Sequence, residues 1–241
     1  MLTRMITAAV MLAAGIFGVG SIGSIMGTDA EAASENEFGK LQRIVLGLDL
    51  SMSNPLVTDK AYAAKLGQRV ADEIEGLSPR SEIWVRSFGV YDPSSNPLRF
   101  NEVISAKNRP EDVGKGIETL VSNLPKLMQD GVIKGQAYTN IVAFLENMTQ
   151  VIDCSDGMET RFILLTDGIE DSEYGNLRRA NSKLPDNTLR TRGQCYELQI
   201  LGIGQGLGSP SETQRLRTVW SDWATGDDTK PFASFVGLND W

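Results

Sequence analysis

RIVLGLDLSMS, residues 43–53, is the stretch that decides the fold. Ile44 to Leu48 is apolar at every position, as expected of a strand buried on both faces of a parallel sheet. The run ends in a carboxylate, Asp49, and hydroxyls follow at Ser51 and Ser53. With side chains alternating along extended backbone, the oxygens of 49, 51 and 53 project the same way. Taken alone, this is equally well a polar cap and turn before a helix. The surrounding elements have to decide between the two.

Leu66, Val70 and Ile74 recur at helical spacing over 61–76, and Gly76 closes that segment. Residues 82–90 (EIWVRSFGV) read as a strand, 92–97 as a turn and 98–106 as a second strand, together a hairpin. Pro110 opens a helix to 129, and a loop containing Thr139 leads into a helix over 140–152. A strand at 161–167 (RFILLTD), a variable segment to 193, a strand at 197–204, a helix at 211–225 and a strand at 232–238 complete the order. Buried strands alternating with amphipathic helices predict an α/β fold: a doubly wound, mostly parallel six-stranded sheet with one antiparallel edge strand and helices on both faces. Residues 41–241 form one domain after a short linker at 33–40, since no repeat or linker divides them.

The composition restricts the chemistry. No histidine occurs anywhere, which removes histidine-based catalytic triads, imidazole zinc sites and histidine pH switches. The net charge of −8, without a basic stripe, argues against a nucleic-acid partner. Residues 1–32 carry Arg4, an uncharged run from Met5 to Met26, and Ala30-Glu31-Ala32, a small-x-small cleavage pattern. They read as a signal peptide or, uncleaved, as a membrane anchor. Either reading places the domain in the periplasm, the cell envelope or the extracellular space.

A second carboxylate, Asp167, ends the strand at 161–167 in Thr166-Asp167-Gly168. In open α/β sheets, ligands bind beyond the carboxyl ends of the strands, so Asp49 and Asp167 share the expected ligand edge. Asp49-x-Ser51-x-Ser53, Thr139 on a second loop and Asp167 on a third together resemble the von Willebrand factor type A (VWA) family and its metal-ion-dependent adhesion site. The resemblance covers about residues 41–240. It implies a Rossmann-like VWA fold and one Mg²⁺ or Mn²⁺ ion, held by Ser51, Ser53 and Thr139, with Asp49 and Asp167 acting through water or orienting the hydroxyls. It also implies a non-enzymatic protein-binding module (adhesion, receptor or assembly component) whose ion is completed by an Asp or Glu of a partner. Asn54 and Tyr138 would then ring the metal. Glu170, followed by Asp171 and Glu173, reads either as part of a solvated loop or as a partner contact.

Two other readings stand beside this one. The domain could be a structural scaffold of an envelope assembly, its metal only stabilising the fold. A metal-dependent hydrolase would need a general base that the sequence does not nominate. Gly202-Ile203-Gly204-Gln205-Gly206 lacks the spacing of a dinucleotide-binding loop, and Ser51 stands where Asp-x-Asp phosphatases need their acid. In the resembled fold, Cys154 and Cys195 precede neighbouring strands, which implies a disulfide at the end opposite the metal. Its loop of about 40 residues corresponds to about 3–4 kcal/mol.

Overall fold

The computed structural model describes residues 40–90, 92, 94, 96–153, 155–189, 196–226 and 233, and the backbone of Phe235–Asn239. The leader at 1–32, all of the linker except Lys40, and both Cys154 and Cys195 lie outside the described residues. The elements are β1 (Gln42–Asp49), α1 (Lys60–Glu75), β2 (Glu82–Phe88), β3 (Arg99–Val103), α2 (Pro110–Gln129), α3 (Ile141–Val151) and β4 (Glu159–Leu165). They continue with β5 (Asp171–Ser172), β6 (Gly175–Asn176), β7 (Tyr196–Leu201), α4 (Pro210–Thr225) and β8 (Phe235–Asn239).

The main sheet runs β3-β2-β1-β4-β7-β8, parallel throughout except for the antiparallel β2–β3 pair. From β1 the chain steps outward to β2 and β3, then returns to β4 on the other side. The order therefore reverses between β1 and β4, which is the switch point where such sheets bind ligands.

Alternation along β1 feeds two apolar layers, one on each face of the sheet. Ile44, Leu46 and Leu48 join Leu66, Val70 and Ile74 of α1 and Ile117, Val121 and Leu124 of α2. Val45 joins Phe144, Leu145 and Met148 of α3 and Leu216, Trp220 and Trp223 of α4. Gly47 leaves room for neighbours on β4 and α3: an added Cβ would lie 2.7 Å from Leu164 Cδ2 and 2.9 Å from Phe144 Cε1. Overpacking of this kind costs about 1–3 kcal/mol.

Element ends differ from expectation in ways that matter for the site. The strand expected at 161–167 stops at Leu165, so Thr166 and Asp167 belong to a loop that turns at Gly168 with φ 77°. The strand expected at 197–204 stops at Leu201, because Gly202 and Gly204 take φ 101° and 77°. The variable segment contains the β5–β6 hairpin, which alternation cannot signal in strands of two residues. The edge strand is shorter than 98–106, although Ile104 still accepts from Arg80 N at 2.8 Å and donates to Ser81 O at 2.9 Å. No helix among the described residues is long and apolar enough to cross a membrane.

Candidate functional site

Asp49 is the last residue of β1, and Thr166 and Asp167 follow β4 directly, so all three sit at the switch point. Asp49 is wholly buried. Its Oδ1 accepts from Ser51 N at 2.8 Å, which curls the chain after β1, and its Oδ2 accepts from Thr166 Oγ1 at 2.7 Å. Thr166 Oγ1 also accepts from Gly168 N at 3.1 Å, and Asp167 Oδ1 accepts from Ile169 N at 2.9 Å. The loops after β1 and β4 are thus locked together through a threonine hydroxyl.

The loop between α2 and α3 is bonded to both of them. On one side Gln136 N donates to Leu50 O at 2.9 Å, and Met52 N donates to Gln136 O at 3.1 Å. On the other, Thr139 and Asp171 exchange two backbone hydrogen bonds, each 3.0 Å. Asn140 N and Nδ2 both donate to Gly89 O, at 3.1 and 2.9 Å, tying the same loop to the end of β2. Backbone bonding therefore brings Ser51, Thr139 and Asp167 to one edge on three adjoining loops. Ser51 Oγ lies 3.4 Å from Ser53 Oγ; Ser51 and Thr139 are buried and Ser53 is exposed.

Electrostatics make this edge costly for protein alone. Burial raises the Asp49 carboxyl above its ordinary range, although hydrogen bonds from Thr166 and Ser51 oppose the rise. Burial, and then the charge of Asp49, push Asp167 up to about 7. Among the described residues no ion pair touches either carboxylate: Arg178 pairs with Asp171 at 3.6 Å and lowers both aspartates only from a distance. Two buried carboxylates beside hydroxyl oxygens suit a hard divalent cation, which takes oxygen ligands and offsets two negative charges. Ser51, Ser53, Thr139, Asp49 and Asp167 are the residues that would hold it. Among the described residues no group of three or more Asp, Glu, His or Cys side chains is arranged as an ion site, so the donors would be mainly hydroxyls.

Glu170 corrects an expectation. It is fully buried rather than part of a solvated loop facing a partner. Its Oε2 accepts from Ile141 N at 2.8 Å and Val142 N at 3.2 Å, and its Oε1 accepts from Ser172 Oγ at 2.5 Å. A carboxylate on the loop after β4 therefore caps α3, whose N-cap residue Asn140 provides no side-chain cap of its own. Burial pushes Glu170 up to about 7 against these bonds. Asn54 is likewise buried and offers no face to a partner. Its Nδ2 donates to Asp49 O at 3.1 Å and Leu165 O at 3.2 Å, and its Oδ1 caps the short 3-10 turn Pro55–Val57 by accepting from Leu56 N at 3.1 Å.

Tyr138 is exposed, as are Met52, Val132 and Tyr174 on the same loops. Thr166 and Gln136 are the structural residues that sequence reasoning missed. Thr166 stood in the quoted Thr-Asp-Gly without a role, and Gln136 had no local signal. Gln136 Oε1 accepts from Val90 N at 2.6 Å, and its side chain fills the space that a Cβ on Gly89 would occupy.

No family model and no curated protein matches the chain. Among solved structures it is similar to BatB, a conserved hypothetical protein of Bacteroides thetaiotaomicron, at 15% identity and a TM-score of 0.43, over 83% of this chain and 90% of that one. It is similar to an aerotolerance-related membrane protein of Bacteroides fragilis at 14% identity and a TM-score of 0.43, over 83% and 92%. A third likeness, to the manganese-loaded TRAP protein of Plasmodium vivax, has 17% identity and a TM-score of 0.47, over 84% and 69%. Likenesses this distant add nothing to what the strand order and the loops show by themselves.

Proposed function

We propose that this chain is an exported, VWA-like protein-interaction module that binds a partner's acidic side chain through one Mg²⁺ or Mn²⁺ ion at the Asp49–Asp167 edge. The observation that carries the reading is the pair of buried carboxylates at the switch point, without an ion pair among the described residues and flanked by Ser51, Ser53 and Thr139 on stitched loops. With few carboxylates in its shell, a bound ion stays electrophilic and accepts one more carboxylate. The chain's own residues do the rest. Thr166 orients Asp49, and Glu170 fixes the start of α3 beside Thr139.

Met52, Val132, Tyr138 and Tyr174 surround the edge with exposed apolar and aromatic surface, which suits a protein partner better than a small solute. Binding rather than catalysis is the reading because Glu170, a further carboxylate close by, is committed to the α3 N–H groups and Ser172. Export rests on residues 1–32, and with it a place in the periplasm, envelope or outside the cell.

Titration calorimetry on the mature domain should detect one Mg²⁺ or Mn²⁺ ion, lost in Asp49→Ala. Retention of a partner from envelope extract should require Mg²⁺ and end on adding EDTA. No ion uptake, with or without partner, refutes the reading. Ion uptake that raises the melting temperature while partner retention ignores EDTA would instead indicate a scaffold with a fold-stabilising metal.

A further inference from the structure

On the face carrying α3, where Phe88 of β2 stacks on Phe144 at 4.8 Å, a cleft of about 400 Å³ lies between β2, β3 and α3. Its apolar lining includes Trp84, Phe88, Phe144, Met148 and Val151, with Asn147 and Gln150 beside them. Among the described residues its charged lining is entirely cationic, Arg86 and Arg99, in a chain of net charge −8. These two arginines are cross-strand partners in the β2–β3 ladder, a like-charge pairing that weakens a sheet unless an anion joins it.

Among the described residues neither arginine makes an ion pair. The neighbouring Arg43 is bonded to Glu82 at 3.0 Å and Asp156 at 2.5 Å. Arg86 instead spends its donors on Val85 O, Phe100 O and Asn101 Oδ1, while its guanidinium lies 5.5 Å over the Trp84 ring. Burial, and then Arg99, lower its pKa, as expected of a cation without a counter-ion. An independent observation lies at the end of the cleft nearest Thr139. Asn140 is 2% exposed and lines the cleft, and among the described residues its Oδ1 has no hydrogen-bond partner although its Nδ2 is bonded to Gly89 O. A buried acceptor without a donor is rare and costly.

We infer that this cleft is a second recognition site, for an acidic peptide segment of a protein partner. A carboxylate sits against Arg86 and Arg99, and an aromatic or branched side chain lies on Phe88, Phe144 and Met148. The volume falls within the range of small-ligand sites. The inference does not depend on the metal reading, because the cleft lies beside α3 and uses none of the proposed ion ligands.

The test uses acetyl-Phe-Glu-amide and its neutral twin acetyl-Phe-Gln-amide, titrated into the mature domain in EDTA so that no ion can recruit the carboxylate. Amide and methyl NMR shifts report the site. The Glu peptide should shift Met148 and Val151 and bind about tenfold more tightly than the Gln peptide, as one added charge contact implies. Arg99→Glu, on an exposed side chain, should remove that preference. Gln150→Glu, which adds an opposing charge at the rim, should weaken the Glu peptide alone, and serves if Arg99→Glu perturbs the sheet. Equal binding of the two peptides, no shifts at millimolar concentration, or a preference that survives both substitutions overturns the inference. None of these results bears on ion uptake at the Asp49–Asp167 edge.

Discussion

Removing divalent ions should make the domain lose stability as pH rises, and Asp167→Asn should remove much of that loss. The Asp167 carboxyl is raised from 3.8 to about 7 by burial and by Asp49. Between those values the native state keeps a proton that the unfolded chain has released. Stability from Asp167 is therefore complete below about pH 4 and is lost as pH climbs through 7. At 1.36 kcal/mol per pKa unit, the whole span corresponds to about 4 kcal/mol, of which about 3 kcal/mol falls between pH 5 and 8. For a domain of this size that lowers the melting temperature by roughly 6–12 °C. Glu170, raised from 4.5 to about 7, adds a slope of the same sign that the substitution leaves in place.

A bound ion needs the ionised carboxylate, so Mg²⁺ should stabilise far more at pH 8 than at pH 5. The assay is urea unfolding of wild type and Asp167→Asn at pH 5 and 8, each in EDTA and in Mg²⁺. In EDTA at pH 8 the variant should be the more stable protein, and it should lose most of the Mg²⁺ response. A wild type equally stable at both pH values in EDTA, or a variant with an unchanged slope, refutes the electrostatic account.

Substitutions at three further positions probe the supporting bonds and the rim. Thr166→Val strips a donor from buried Asp49 and an acceptor from Gly168 N, and should cost about 2–4 kcal/mol in urea unfolding, with Thr166→Ser recovering most of it. Glu170→Ala leaves Ile141 N and Val142 N without acceptors and should cost about 2–3 kcal/mol near pH 6. Glu170→Gln keeps an acceptor and should cost less, while flattening the Glu170 share of the pH slope. Tyr138→Ala should leave the melting temperature and ion affinity unchanged, yet weaken partner binding measured by surface resonance by about 2 kcal/mol if Tyr138 anchors the interface.

What could be read from the sequence depended on how local the signal was. The unbroken apolar run at Ile44–Leu48 and the helical spacing of Leu66, Val70 and Ile74 reflect burial within single elements, and the sheet places them accordingly. Asp49 and Asp167 could be placed at one edge because strand ends in a doubly wound sheet share an edge whatever the loops do. Glu170 and Asn54 could not be placed, since their surroundings come from distant parts of the chain. Glu170 is buried by the start of α3, about 30 positions away in sequence, and Asn54 reaches the end of β4 across 111 positions. Charged and amide side chains in loops read as facing outward until such a distant partner is known.

The same long-range bonds bear on how the edge could work. The loops that carry the proposed ligands are joined by bonds that do not involve an ion: Asp49 to Thr166, Leu50 and Met52 to Gln136, Thr139 to Asp171, and the Asp167 carbonyl to Gly204 N. Trp220 Nε1 holds the Gly168 carbonyl at 2.7 Å, so the loop bearing Asp167 is also fixed to α4. The three loops are therefore preorganised, and ion binding would spend little energy on ordering backbone. What remains unfavourable is charge: buried aspartates whose repulsion the chain offsets only with hydroxyls and a distant arginine. A rigid frame around uncompensated charge is what an oxygen-ligated ion site requires. It is not what a fold would retain for stability alone, since neutral side chains at 49 and 167 would make the metal-free domain more stable.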